Sequence, residues 1–323
     1  MTALAGKRVV VTGAAGFLGA AVVDVVKDTE CRLVRVVRKP PPPPGKCRAE
    51  IVDLAGDVRD PSTWRRALEG VDVVIHLAAQ TSAAAARAAP AADFEANVVP
   101  VLHLLEACRA QGTKPVVLFA GTVTQAGVPV HTPVDETHPD NPPTVYDEHK
   151  LAAESQVKFH AAQGHIRGAS LRLANVYGPG PRSRNVDRGV LNAMVRRAIA
   201  GEPLTIYGNG TYLRDYLYVL DAARAFAAAV GAIEKLNGGH WVVGSGEGHT
   251  IEDSFRLVAA RAAARTGKHV PVEHVEPDAP LSALESRSFI ADSSRFRAAT
   301  GWRPHCMLQE GVDRTIEACL CAS

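Results

Sequence analysis

Residues 8–28 read RVVVTGAAGFLGAAVVDVVKD, and their pattern decides the fold. Val9 to Thr12 are four consecutive β-branched residues, the composition of a strand covered on both faces. Glycines follow at 13, 16 and 19, and Leu18, Val22, Val25 and Val26 then share one side of a helix expected over 17–28. Gly13 permits a tight turn, Gly16 lets the backbone approach an anionic group, and Gly19 allows the helix to lie close on the sheet. The helix N-terminus adds free N–H groups and the positive end of its dipole, both suited to phosphate. Lys7 and Arg8 ahead of an apolar run also match the start of a secretory leader. A leader explains hydrophobicity alone, whereas strand, glycine turn and helix also explain the glycine spacing and the interruptions at Asp24 and Lys27. The stretch reads as a dinucleotide-binding βα unit.

Outward from it, short β-rich runs alternate with helical patterns. Strands are expected over 8–12, 32–37, 71–77, 115–120 and 168–174, and helices over 93–110 and 146–163. This alternation predicts an α/β protein with a Rossmann-type doubly wound parallel sheet. Past a turn-rich loop at 178–185, helices are expected over 189–200, 219–232, 250–265 and 310–320, and short strands over 204–207, 241–243 and 270–275. The expected division is a cofactor-binding unit over 1–178, joined by 219–244, and a smaller α/β substrate-binding unit from the remainder of 179–323. The Ala-rich stretch 83–92 reads as a loop or helix edge.

The end of the second strand bears on which dinucleotide is held. A carboxylate there would favour NAD(H) through the adenosine ribose, and a basic group would accommodate the 2′-phosphate of NADP(H). The chain has Arg38 and Lys39, with Arg35 nearby, before five prolines at 40–44. A solvated surface pair is the alternative; the expectation is NADP(H). Asp57 and Val58, after a short apolar stretch, are placed to bracket the adenine.

Composition narrows the field by exclusion. The 36 Lys and Arg against 34 Asp and Glu leave a formal charge of +2 over 323 residues, no reason to expect nucleic acid or an anionic membrane as partner. Hydrophobic residues at 46% and charged ones at 22% exclude disorder and coiled coil, and no apolar run approaches a membrane span. The six cysteines lack paired spacing, so reduced thiols and no metal are expected, with Cys319 and Cys321 in a fraying tail. A cytoplasmic enzyme fits this description.

Tyr146 and Lys150 stand at i and i+4, on one face of a helix, and Thr122 follows the strand ending near 120. A phenol beside an ammonium group and a positive nicotinamide is acidified and exchanges a proton with a carbonyl or carbinol oxygen near neutrality. Exposed helix residues would explain the pair alone; a glycine-rich loop upstream makes the catalytic reading the better one.

These motifs resemble, over nearly the whole chain, the extended short-chain dehydrogenase/reductases of the sugar-nucleotide epimerase/dehydratase group. The likeness rests on TGAAGFLG, GDVRD, HLAAQ, Asn97, Thr122, Tyr146 with Lys150, LRLANVYGPG, GNGTYLRDYLYVLD and TGWRP. It implies Tyr146 as proton donor or acceptor, Lys150 on the nicotinamide ribose, and Thr122 hydrogen-bonded to the reacting oxygen. It further implies cofactor contacts from Gly13, Ala15, Gly16, Phe17, Leu18, Leu77, Ala78, Ala79 and Asn97. Substrate contacts would come from Thr124, Asn175, Arg214 and Arg287, the two arginines toward a diphosphate. The group's 4,6-dehydratases carry an acid pair where this chain has Val123 and Thr124, so dehydration is not expected.

The second half is similar to actinobacterial 4-ketoreductases, which reduce dTDP-activated 4-keto-6-deoxyhexoses for secondary metabolites such as antibiotics. That likeness implies an NADPH-dependent 4-ketoreductase of a dTDP-sugar. The alternatives are a nucleotide-sugar 4-epimerase or a reductase at another carbon; a non-catalytic dinucleotide-binding protein is opposed by the intact Thr122, Tyr146 and Lys150. Ala120-Gly121, Ala126 and Pro100 depart from the group's pattern. A homodimer through the helices at 93–110 and 146–163 is also implied.

Overall fold

The valine run forms β1 (Arg8–Thr12), an interior strand whose Val9 and Val11 face one layer of core and Val10 the other. The computed structural model describes residues 2–43, 45–181, 189–276 and 285–321, and residues 182–185 of the loop expected after 178 lie outside them. After β1 come α1 (Phe17–Val26), β2 (Arg32–Val37), β3 (Glu50–Ala55), α2 (Pro61–Ala67) and β4 (Val73–His76). Next are α3 (Ala83–Ala88), α4 (Pro90–Asn97), α5 (Val99–Gln111), β5 (Val116–Thr122), α6 (Val145–Ala162), β6 (Arg167–Leu173) and β7 (Asn175–Tyr177). The later part holds α7 (Val190–Ala200), β8 (Leu204–Tyr207), β9 (Leu213–Arg214), β10 (Tyr216–Tyr218), α8 (Val219–Gly231) and α9 (Ile233–Leu236). It closes with β11 (His240–Val243), β12 (His249–Thr250), α10 (Ile251–Thr266), β13 (Val272–Val275), α11 (Ser294–Thr300) and α12 (Leu308–Cys321).

Seven strands form one parallel sheet in the order β11-β6-β5-β4-β1-β2-β3. Helices α1 and α8 cover one face through Val22, Val26, Ala222 and Phe226, while α2, α5 and α6 cover the other through Trp64, Leu104, Leu105 and Val157. The chain steps from β1 outward to β3, then returns to the opposite side of β1 with β4. That reversal opens a crevice at the carboxyl ends of β1 and β4, where α/β sheets bind ligands. A third cluster, including Val195, Ile206, Phe255, Val258, Val312 and Ile316, is built by α7, β8, α10 and α12 away from this sheet. Three two-stranded ladders, β7 with β10, β9 with β12 and β8 with β13, complete the strand pairing among the described residues.

Three expectations are corrected and one strand is added. The stretch 83–92 holds the end-to-end meeting of two helices, broken only at Ala89, because Ser82 caps α3 by accepting from the Ala85 N–H at 3.2 Å and Pro90 opens α4. The helix expected over 93–110 is two helices; Pro100 has no N–H to continue the ladder, and α5 restarts around it. Residues 50–55 are an edge strand that charge concealed: Asp53 and Glu50 pair with Arg35 and Arg32 of β2. Cys319 and Cys321 lie in α12, which Val312 and Ile316 anchor in the core.

Candidate active site

Thr12 ends β1 and His76 ends β4, and their side chains join across the crevice floor, Thr12 Oγ1 to His76 Nδ1 at 2.9 Å. Thr12 Oγ1 also accepts the N–H groups of Leu77 and Ala78, both at 3.1 Å, which holds the loop after β4 against the glycine turn. Gly13 has φ +65°, and a Cβ there would stand 2.8 Å from the Ala78 nitrogen, so side chains are excluded on steric and conformational grounds. Gly16 is the N-cap of α1, with no side-chain cap and no acidic residue in the first turn. The first-turn N–H groups are thus left for an external acceptor. Ala15 is exposed, and Phe17, Leu18, Leu77, Ala78 and Ala79 are half-buried along the same rim. Uncapped helix, close glycine turn and neutral floor together fit a dinucleotide diphosphate.

The basic end of β2 differs from its sequence reading. Arg35 is buried and makes a two-pronged ion pair with Asp53, at 2.7 and 2.8 Å, so it has no role in a phosphate pocket. Arg38 and Lys39 are exposed. The neighbourhood is not free of carboxylates either: Asp57 pairs with Arg59 at 2.7 Å, and Arg59, with Arg38 more weakly, holds the Asp57 carboxyl below its usual range. Val58 is fixed by the Trp64 indole, which donates to its carbonyl at 2.8 Å.

Asn97 is buried and engaged on every side. Its Oδ1 accepts the Gln80 N–H at 3.1 Å, and its Nδ2 donates to the Gln80 carbonyl and to Asp93 Oδ1, both at 3.0 Å. What it contributes is the placement of the loop 77–80. Asp93 also binds His149 Nδ1 at 2.7 Å, so the helix carrying Lys150 is tied to that loop. Neither Asp93 nor His149 stood out in the sequence.

Tyr146 and Lys150 sit one turn apart on α6, whose N-cap Thr144 accepts the Asp147 N–H at 3.2 Å. Lys150 is buried, with Nζ 4.0 Å from the Phe119 ring centroid, and burial lowers its ammonium to about 7. The same burial, with the charges of Asp147 and Asp93, pushes the Tyr146 phenol above its ordinary value. His76, lowered to about 3 by burial and then by Lys150, stays neutral on the crevice floor.

Thr122 ends β5 and caps a short 3-10 turn over Val123–Ala126. Gln125 Oε1 accepts the Thr122 N–H at 2.9 Å, and Gln125 Nε2 donates to buried Glu154 at 3.1 Å. Glu154 in turn meets Arg172 at 2.6 Å and accepts from Ser170 at 2.7 Å. This cluster explains the departure at Gly121, where a Cβ would lie 2.7 Å from Ser170 Oγ and 3.1 Å from Gln125 Oε1. Thr124 hydrogen-bonds Thr122, 2.8 Å between hydroxyl oxygens, and donates to Asp147, so the turn and α6 are linked beside Tyr146. The pattern Thr144-x-x-Asp147 is a capping signature that could have drawn attention to Asp147.

Arg287 is buried, donates to the Gly127 carbonyl at 3.1 Å, and is lowered to about 10 by burial and the neighbouring Arg214, against the field of Asp147. Arg214 donates to the carbonyls of Arg287, Leu213 (3.0 Å) and Glu285 (2.6 Å). The two arginines therefore meet, with Arg214 largely engaged in shaping the segment that presents Arg287. Asn175 is half-buried on β7, and its backbone N–H donates to the Asp215 carbonyl at 3.1 Å, which joins β7 to the residue just before β10.

The arrangement is a crevice whose glycine turn fits a dinucleotide diphosphate, with the phenol of Tyr146, the amine of Lys150 and the paired hydroxyls of Thr122 and Thr124 carried by α6 and the end of β5. Known proteins match nearly the whole chain. UDP-glucose 4-epimerase of Mycolicibacterium smegmatis is 30% identical over 322 residues, covering 96% of this chain and 97% of that protein. The crystal structure of UDP-glucose 4-epimerase from Thermotoga maritima with UDP-glucose superposes with a TM-score of 0.84 at 29% identity, over 98% of this chain and 99% of that one. The UDP-glucose 4-epimerase of Thermus thermophilus, in complex with NAD, gives 0.80 at 32% identity, over 98% and 100%. Residues 9–244 match the NAD dependent epimerase/dehydratase family, and the chain belongs to that family.

Proposed function

We propose that the protein is a nucleotide-sugar epimerase acting at carbon 4 of a pyranose, with a nicotinamide dinucleotide kept in the crevice. The observation that carries this reading is the full-length likeness to UDP-glucose 4-epimerases, at 30% identity in one case. It replaces the 4-ketoreductase as the leading reading and makes UDP-hexoses the first substrates to try. The glycine turn and the α1 N-terminus hold the diphosphate of the cofactor, and Asp57 and Val58 flank its adenine. Residues 1–178 with 219–244 supply this cofactor unit, and the rest of 179–323 the substrate unit. Arg287 and Arg214 take the substrate diphosphate, and Asn175 and Thr124 line the sugar.

The bound nicotinamide supplies the two-electron chemistry. Tyr146 exchanges the proton of the sugar oxygen, Lys150 orients the cofactor ribose and favours the phenolate, and Thr122 holds the same oxygen. Incubating the purified protein with UDP-galactose should yield UDP-glucose with no net change in cofactor absorbance. Stoichiometric oxidation of NADPH by a dTDP-4-keto-6-deoxyhexose, without epimerisation, would overturn this in favour of the reductase.

One feature supports that second reading: Arg38 and Lys39 are exposed at the end of β2, where a 2′-phosphate would lie. If they bind it, replacing both by Ala weakens NADPH by at least about 10²-fold and leaves NADH nearly unchanged, as each charge-assisted hydrogen bond carries about 1.5–3 kcal/mol. Equal losses in a fluorescence titration of the two cofactors would remove the case for NADP(H).

A further inference from the structure

One buried ring touches three parts of the crevice. His76 is 2% exposed, and its Nδ1 meets Thr12 Oγ1 beneath the glycine turn at 2.9 Å. Its ring centroid also lies 5.5 Å from that of Trp64, which fixes Val58, and 6.2 Å from that of Phe119, which Lys150 Nζ covers. Valence sets the proton between His76 and Thr12. A threonine hydroxyl has two lone pairs and one proton. Both lone pairs of Thr12 Oγ1 are taken by the N–H groups of Leu77 and Ala78, so its proton goes to His76. Nδ1 is therefore bare, and the neutral ring carries its own proton on Nε2. Nε2 is buried and has no partner among the described residues. A buried N–H without an acceptor is costly, and an apolar side chain of similar bulk would avoid that cost. What such a side chain lacks is the acceptor at Nδ1.

We propose that His76 is a positioning residue for the dinucleotide: by accepting the Thr12 hydroxyl it turns both Thr12 lone pairs toward the loop after β4 and so holds that loop against the glycine turn. The proposal rests on the reading that the crevice holds a nicotinamide dinucleotide, and His76 acts on it through Thr12. Without the acceptor at Nδ1, the Thr12 hydroxyl turns its proton elsewhere, and its bonds to Leu77 and Ala78 weaken. The loop and the turn are in close contact, since a Cβ on Gly13 would stand 2.8 Å from the Ala78 nitrogen and 2.9 Å from the Leu77 carbonyl carbon. Loosening one therefore loosens the surface that receives the diphosphate. A charged His76 would break the same bond, because an Nδ1–H would face an oxygen with no free lone pair. Burial, and then the charge of Lys150, keep the ring neutral.

Two substitutions separate the acceptor from the packing. His76→Leu keeps the bulk and removes the acceptor, whereas His76→Asn supplies an acceptor oxygen near the place of Nδ1 and gives up the ring. In the cofactor-free protein, amide hydrogen exchange at Leu77 and Ala78 should be about tenfold faster in His76→Leu and within about twofold of wild type in His76→Asn. Fluorescence titration with NAD and NADP should follow the same order, with affinity about tenfold weaker in His76→Leu because binding must then order the loop. Thermal stability should run the other way, since His76→Asn leaves a cavity beside Trp64 and Phe119 and should unfold at the lower temperature of the two. Nitrogen-15 spectra of the wild-type ring should show a bare Nδ1 and a protonated Nε2 at neutral pH. The proposal is overturned by a protonated Nδ1, by dinucleotide affinity that follows thermal stability across the pair, or by UDP binding that falls as far as dinucleotide binding in His76→Leu. Wild-type protein that binds neither NAD nor NADP would overturn the cofactor reading itself, and the exchange pattern at Leu77 and Ala78 tells the two failures apart.

Discussion

Tyr146→Phe lowers turnover by about 10²–10⁴-fold while dinucleotide affinity stays within about twofold. The phenol sits in the first turn of α6, held by the Thr144 cap, one turn before Lys150. In the cofactor-free protein, burial and the carboxylates of Asp147 and Asp93 keep it protonated, and Lys150, lowered to about 7 by burial, is only partly charged near neutrality. A positive nicotinamide ring bound beside it would favour the phenolate. Phenylalanine keeps the ring and its packing and removes only the oxygen, so rate and affinity should separate. Single-turnover kinetics beside a cofactor titration check this, and an unchanged rate would mean that Tyr146 does not handle the proton.

The second large effect concerns stability. Arg172→Met should destabilise the fold by about 3–5 kcal/mol at pH 7, because it leaves a buried carboxylate short of its main partner. Glu154 is fully buried, and Arg172 meets it through two nitrogens, at 2.6 and 3.1 Å, while also pairing with Asp140 at 2.6 Å. Burial alone would raise the Glu154 carboxyl; hydrogen bonds and charge from Arg172, followed by Lys158, outweigh it and hold the group at about 2. A folded value below the unfolded one contributes stability that is present above the unfolded value, near 4.5, and lost as pH falls through 2. In the variant the lowering by Arg172 is gone while burial remains, so the folded value rises and the deficit is largest near neutrality and shrinks below pH 4.5. Urea unfolding at pH 7 and at pH 4 measures it, and an equal deficit at both would show that the ion pair is not its source. Glu154→Gln combined with Arg172→Met should recover part of the loss, since no buried charge then remains.

The same cluster braces the turn after β5. Glu154 reaches Thr122 through Gln125, so Arg172→Met should disturb Thr122 as well as the core. Such couplings separate what was legible in sequence from what was not. The glycine turn was legible because its requirements are local: φ at Gly13, the free N–H groups of α1, and the valines of β1 lie within a few residues. Tyr146 and Lys150 were legible because helical periodicity alone puts them on one face. Pro100 was visible, yet the break it makes between α4 and α5 was missed because the apolar pattern runs through it.

Asp53 shows the limit from the other side. It lies in an edge strand, and only the parallel register of β2 with β3, which sets Arg35 opposite Asp53, reveals that Arg35 is engaged there and not with a phosphate. By itself, then, the sequence determined the doubly wound sheet, the glycine turn between β1 and α1 and the shared helix face of Tyr146 and Lys150, since each follows from local spacing. The tertiary structure alone decided which groups those residues face. Asp147 meets Thr124 across 23 positions, Glu154 meets Arg172 across 18, and His149 meets Asp93 across 56. Hydrogen bonds and charges act over a few ångströms of space, and separation along the chain carries no record of that distance until the sheet has brought the segments together.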